Sequence, residues 1–281
     1  MLAKRIPTIM PELSFEESME ISKIYSIAGL MDNRALVLSR PFRSPHHTIT
    51  QTALTGGGNT PKPGEISLAH LGVLFLDELP EFQKNTIEVL RQPLEDKSVT
   101  ISRLNATYRY PAGFMLCAAM NPCGCGHFPD RNKCTCSVPQ IKRYLGKISQ
   151  PLLDRFDICI EALQMNYKEL RQNAHQETSE EIRRRVDLAR KLQMERYKDQ
   201  NIWFNSQLTP KTIKKYCRLE LKEQSLLENA FIKMNLTARA YHRILKVART
   251  IADLDQSERI GTAHISEAIC YRSLDQKYWG E

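Results

Sequence analysis

The sequence predicts an α/β domain over residues 1–165 followed by an all-helical domain over 166–281. Two observations carry that expectation. Before residue 165, short uniformly apolar runs (Val73-Leu74-Phe75-Leu76, FMLCAAMN, FDICIEAL) read as strands covered on both faces, the habit of a parallel sheet. After it, only helical periods remain, several opened by a capping signal.

The elements follow in order. Ser14-Phe-Glu-Glu17 is a capping box, and the helix it opens runs to about residue 28 before Gly29. Residues 40–70 are rich in Pro, Gly, Thr and His and read as loop with short extended pieces, most mobile at Gly56-Gly57-Gly58. Val73–Leu76 is the first buried strand. Ile87, Val89, Leu90 and Leu94 then form a helical stripe that breaks near Glu95-Asp96. SVTISRL and ATYRYPA alternate around Asn105 as a hairpin, FMLCAAMN is a second buried strand and FDICIEAL a third. Thr178 with Glu181 caps a long charged helix, and Thr209-Pro210 starts another with proline in its first turn.

Composition narrows the function classes. A hydrophobic content of 42% and a charged content of 26% are those of a water-soluble globular chain, and no apolar run approaches the roughly 18 residues of a membrane span. MLAKRIPTIMPEL lacks the apolar stretch of a signal peptide, which points to the cytoplasm. A net charge of +8 is compatible with a polyanionic partner such as DNA. Eight cysteines in a reducing compartment point to metal wherever they cluster.

The candidate chemistry starts at GVLFLDELPEF. An apolar strand ending in Asp77-Glu78 sets Asp77 where it can hold Mg²⁺ through water and Glu78 where it can polarise a water against a γ-phosphate. The alternative is a helix whose first turn carries acids for dipole reasons. Asn121 ends the FMLCAAMN run, placed to touch a γ-phosphate or the attacking water. Arg155 in PLLDRFD stands at the start of the next expected strand, suited to reach a neighbouring subunit's nucleotide. Arg239 in LTARAYHRIL falls in the first turn of a helix in the second domain. Each has a plain alternative (a strand-end turn, an ion pair, a solvated face), and their joint order is the specific signal.

RPFRSPHHT, GEISLAHLGVLFLDELPEF, AAMNPCGCG, PLLDRFD and TARAYHRILKVARTIADL resemble AAA+ ATPases of the ComM/YifB type, often labelled magnesium-chelatase-like. The resemblance covers nearly the whole chain. It implies an AAA+ αβα nucleotide-binding domain followed by an all-helical lid, assembled as a homo-oligomeric ring, expected to be a hexamer, with ATP and Mg²⁺ as cofactors and no membrane. It makes Asp77 and Glu78 the Walker B pair, Asn121 sensor 1, Arg155 the arginine finger and Arg239 sensor 2. It also implies a helicase-like motor on single-stranded or branched DNA, promoting branch migration during natural transformation. Lys97, Arg103 and Arg109, on or beside the expected hairpin, are then the candidates to touch the DNA backbone, with salt-sensitive and sequence-blind contacts.

The chain departs from the family pattern in one respect: no Gly-x-x-x-x-Gly-Lys-Ser/Thr occurs in its 281 residues. Family members carry that loop just before a stretch like MLAKRIPTIMPEL, and a Lon-protease-like domain before the loop. The expectation is an incomplete nucleotide domain lacking its first strand and phosphate loop, Met1 being an internal methionine. Such a chain should hold nucleotide weakly, and taken alone should be aggregation-prone or unfolded. Three readings follow: a DNA motor subunit, a non-hydrolysing fragment that binds DNA or assembles with intact subunits, and a metal-insertion subunit like magnesium chelatase.

Cys123-x-Cys125 and Cys134-x-Cys136 form a separate constellation, able to surround one structural Zn²⁺, with His127 as a substitute ligand. Arg131, Lys133, Lys142 and Arg143 are near enough in sequence to offset the charge. Reduced cysteines in a plain loop, or a redox pair, are the alternatives. Cys117, Cys159, Cys217 and Cys270 lie in apolar patterns and read as core filler.

Overall fold

The computed structural model describes residues 2–31, 34–58, 61–102, 106–162, 177–200 and 202–279. The chain forms two compact units, Met1–Arg155 and Phe156–Glu281; the change of character read from sequence was set near 165.

In the first unit, Ser14 caps the helix Phe15–Ala28 by accepting from the Glu17 amide, and Glu17 accepts from Ser14 in return. Gly29, at φ 76°, ends it in the left-handed cap that glycine takes without strain. The central sheet has three parallel strands: β1 (Phe42–Arg43), β4 (Val73–Leu76) and β7 (Met115–Ala118), in the order β1-β4-β7. Phe42 pairs with Val73 and Val73 with Met115, so β4 is the middle strand. Val73, Leu74 and Leu76 are fully buried there, as their unbroken apolar run predicts. β7 departs from expectation. It is an edge strand among the described residues, and its Met115 is 46% exposed rather than buried.

A two-stranded ladder joins β2 (Gly56–Gly57) to β3 (Lys62–Pro63). Gly56 is closely packed: a Cβ there would lie 2.4 Å from the Lys62 carbonyl oxygen and 2.7 Å from the Gly64 nitrogen. The expected hairpin forms from β5 (Ser98–Ser102) and β6 (Thr107–Pro111), with Val99 opposite Tyr110 on the buried face and Thr100 opposite Arg109 on the exposed one. Arg103 and Asn105 lie outside the described residues. The stripe from Ile87 to Leu94 divides into two short helices, Lys84–Glu88 and Arg91–Asp96.

FDICIEAL does not form the expected third strand among its described residues, Phe156 to Ala162. This segment belongs to the second unit, where the Cys159 amide donates to the Tyr271 carbonyl and Arg272 donates to the Phe156 carbonyl. Two of its backbone groups are thus answered inside the second unit rather than by a neighbouring strand.

The second unit is helical: Ser179–Arg196, Pro210–Tyr216, Leu221–Lys233, Ala238–Leu254, Thr262–Cys270 and Ser273–Trp279. Thr178, Thr209 and Thr237 each accept the amide three residues on. Tyr197, Leu227, Ile244, Ala248 and Ile265 build its core. Beside them, Asp253 is fully buried and accepts from Arg196, from Arg249 Nε at 3.1 Å and from Asn205 Nδ2 at 2.8 Å. Of the four cysteines read as core filler, Cys217 is buried, Cys117 and Cys159 are half-buried, and Cys270 is exposed, because Ala268 and Ile265 face inward from its helix and Cys270 faces out.

No helix among the described residues is long and apolar enough to cross a membrane.

Candidate functional site

The middle strand β4 delivers Asp77 and Glu78 to its C-terminal end, and both side chains are exposed there. In open parallel α/β sheets that end is where ligands bind. Glu78 sits at φ 52° and ψ 47°, a left-handed conformation that costs a non-glycine residue on the order of 1 to 3 kcal/mol and recurs at functional sites. Its backbone amide donates to Asp77 Oδ1 at 3.0 Å, which orients the Asp77 carboxylate. The Leu79 amide donates to the Ala119 carbonyl at 3.0 Å and the Ala119 amide to the Leu76 carbonyl at 2.9 Å. These bonds tie the acidic tip to the end of β7, where Leu76 pairs with Ala118 and the chain continues to the exposed Asn121.

The loop after β1 reaches the same tip. His47 Nδ1 lies 3.5 Å from Glu78 Oε2, its ring packs edge-on to Phe82, and His46 stacks beside it at 4.0 Å between ring centres. His46 in turn holds Thr48 Oγ1 at 3.0 Å. In the sequence the pair appears only as adjacent histidines in RPFRSPHHT, with nothing local to give them a role. The signal was present as two adjacent histidines following a short strand, but their target lies thirty-one positions away in the chain at Glu78.

On the other side stands Tyr144, in the helix Val138–Leu145. Burial pushes its hydroxyl pKa up, with the charges of Glu81, Cys123 and Glu78 adding to the rise. Lys147 Nζ lies 3.6 Å from Glu81 Oε2.

The remaining candidates are placed as follows. Arg155 does not start a strand. It follows the helix Gln150–Leu153, its side chain is buried, and it donates to Glu95 at 2.7 Å, to the Arg91 carbonyl at 3.1 Å and to the Pro151 carbonyl at 2.5 Å. A cleft of 660 Å³ beside it is lined by Gln51, Glu88, Gln92, Glu95 and Ile101, and does not include Asp77 or Glu78. Arg239 is exposed in the first turn of Ala238–Leu254, in the second unit. Lys97, at φ 52°, caps the helix that precedes the hairpin, and Arg109 Nε donates to Ser98 Oγ at 3.0 Å across it.

The four loop cysteines come together: the Sγ atoms of Cys123, Cys125, Cys134 and Cys136 all lie within 4.8 Å of one another, an arrangement able to hold a metal ion. His127 is not part of that set. Arg131 stacks on the Phe128 ring and Lys133 pairs with Asp130 at 3.8 Å, both within the cysteine loop.

Two family descriptions match the chain: "Magnesium chelatase, subunit ChlI" over residues 1–170 and "Magnesium chelatase, subunit ChlI C-terminal" over residues 176–272. The chain is similar to "Competence protein ComM" of Haemophilus influenzae, 46% identical over 98% of this chain and 53% of that protein. It is 44% identical to "Uncharacterized protein YifB" of Escherichia coli over 98% of this chain and 54% of that one. To the "Magnesium-chelatase 38 kDa subunit" of Acidiphilium rubrum it is 25% identical over 40% of this chain and 26% of that protein. The chain thus spans about half the length of the ComM and YifB proteins it matches.

Proposed function

The chain belongs to the magnesium chelatase ChlI family in its ComM/YifB-like form, and from that premise we propose that its first unit carries the hydrolytic side of an ATP site in a ring-forming motor that acts on DNA. The observation that carries the reading is the acid pair at the end of the middle parallel strand, exposed, with the Glu78 backbone amide bonded to the Asp77 carboxylate and Glu78 in a strained left-handed conformation.

The residues fit the cofactors. Carboxylate oxygens at a strand end suit a hard cation that keeps its water, so Asp77 is the residue to hold Mg²⁺. A cation held by Asp77 would supply charge neutralisation for the phosphates of a bound nucleotide. Glu78 orients the attacking water and draws its proton, and Asn121, leaving the adjacent strand, contacts the γ-phosphate or that water. His47, against the Glu78 carboxylate, is suited to hold it until nucleotide or DNA rearranges the loop. Arg239 senses nucleotide from the helical lid. Arg155, as a finger offered to a neighbouring subunit, takes that role by exchanging Glu95 and two carbonyls for a phosphate.

Grip on the phosphates comes from a Gly-x-x-x-x-Gly-Lys-Ser/Thr loop, which is not among these 281 residues. Turnover, the hexameric ring, action on single-stranded or branched DNA during transformation and a cytoplasmic setting therefore belong to the protein that carries the loop. Similarity to the competence protein over 98% of the chain, against 40% for the chelatase subunit, favours the DNA motor over metal insertion.

The test is Glu78→Gln in a protein that includes the phosphate loop. ATP binding should persist and hydrolysis should stop; normal turnover refutes the assignment of Glu78.

A further inference from the structure

Residues 119–137 link β7 to the helix Val138–Leu145 with no regular secondary structure. Loops longer than about 12 to 15 residues without structure of their own are uncommon in compact domains unless something organises them. Here the first of the four cysteines, Cys123, is fully buried, and the others gather on it.

The separations between sulfurs identify what they are arranged for. Cys123 and Cys125 Sγ are 3.3 Å apart, Cys125 and Cys134 3.6 Å, and Cys123 and Cys134 3.8 Å. A disulfide would need about 2.0 Å between one pair and would leave the other two thiols indifferent to it. Four thiolates on one tetrahedral zinc, each at about 2.3 Å, stand about 3.8 Å from one another along every edge. The three separations among Cys123, Cys125 and Cys134 are near a tetrahedron's edge and far from a disulfide bond, and Cys136 Sγ lies within 4.8 Å of all three.

The surroundings suit anionic sulfur. The Phe128 amide points at Cys123 Sγ at 3.4 Å. Gly126 takes φ 82° directly after Cys125, the left-handed turn that lets successive amides converge on an anion, and its own amide closes on the Cys123 carbonyl at 3.0 Å. The Cys134 amide closes on the Asp130 carbonyl at 2.8 Å, so each pair of ligands is presented from its own tight turn.

We infer that Cys123, Cys125, Cys134 and Cys136 bind one structural Zn²⁺ that holds the loop following Asn121 in place. The ion is four-coordinate with thiolates alone, which leaves no position for water or substrate and makes the site structural rather than catalytic. Its role is to replace the missing core of a long loop and to fix the path of the chain from Asn121 to the helix carrying Tyr144. The inference stands on the sulfur geometry and does not depend on the ATPase reading.

Elemental analysis of the full-length protein, purified without chelator or affinity metal, is the test. About one zinc per chain is expected, the Cys123→Ser/Cys134→Ser variant should lose it, and Cys270→Ser should keep it. Titrating the wild type with an organomercurial in the presence of a zinc indicator avoids reliance on a variant that fails to fold: zinc should be released as four thiols per ion react. Cobalt exchanged into the site should give the intense visible bands of tetrahedral thiolate coordination. Zinc below about half an equivalent per folded chain, iron in its place, zinc retained by the double variant, or an octahedral cobalt spectrum would each overturn the proposal.

Discussion

Asp253 and Asp77 are both aspartates at the end of an apolar stretch, but one is fully buried under Arg196, Arg249 and Asn205 while the other stands exposed beside a strained glutamate. The first arrangement is complete. Arg249 also donates to the Glu258 and Ser257 carbonyls at 2.8 and 2.6 Å, so both sides of the charge pair are answered within the second unit. The second is left open toward solvent at the end of a sheet, where a cation and a phosphate would complete it. Satisfied charge holds a fold together; exposed, oriented charge is available for chemistry. Mutation should separate the two.

The largest effect should come at the tip. Glu78→Gln in the full-length protein should lower ATP turnover by about 10²- to 10⁴-fold, the usual contribution of a positioned base, while unfolding midpoints stay unchanged. Asp253→Ala should do the reverse. It leaves Arg249 buried without its counter-charge, and the second unit should lose about 3 to 5 kcal/mol in denaturant titrations. A wild-type-like unfolding curve for this variant would erase the contrast.

His70 gives a smaller effect with a pH signature. The Gly113 amide donates to its Nδ1 at 2.9 Å and its Nε2 faces Glu20 at 3.3 Å; burial lowers its pKa, an effect only partly opposed by Glu20. Because the folded-state pKa lies below the unfolded one of about 6.5, the neutral ring's contribution is present above that value and is lost as pH falls through it toward the folded pKa. His70→Leu strands the Gly113 amide and should cost about 1 to 3 kcal/mol at neutral pH, with less further loss on acidification than wild type shows. Ser14→Ala should remove a helix cap worth about 1 kcal/mol. Arg109→Gln, on the hairpin that the family resemblance turns toward DNA, should reduce the salt dependence of DNA binding by the full-length protein by about one unit of slope.

The helices of both units were readable because their signals are local: Ser14 with Glu17, Thr178 with Glu181 and Thr209 with Pro210 each announce a start within a few residues. The middle strand was readable because an apolar run of four has no other use. What failed were statements about partners. FDICIEAL and FMLCAAMN have the same texture, but one finds β4 beside it and the other finds Tyr271 and Arg272, a choice made by residues more than a hundred positions away. Arg155 was legible as an arginine of note but not as a buried one, since Glu95 and the Arg91 carbonyl reach it only through the fold. At the tip, Asp77, Glu78 and Asn121 follow from where their strands end. The His47 contact to Glu78 follows from the β1–β4 pairing, which no short window of sequence contains. The cysteines were found by spacing, and the distances between their sulfurs came from the turns.

The parallel register of β1, β4 and β7 sets a clock on assembly. Phe42 must find Val73, and Val73 must find Met115, so each ladder closes a loop of several tens of residues before any pairing rewards it. The second unit closes loops that are longer still: Arg196 reaches Asp253 across 57 residues and Arg272 reaches the Phe156 carbonyl across 116. Neither unit can therefore be assembled from local contacts alone, and refolding of both should be slower than that of a bundle whose helices pair only with their neighbours in sequence.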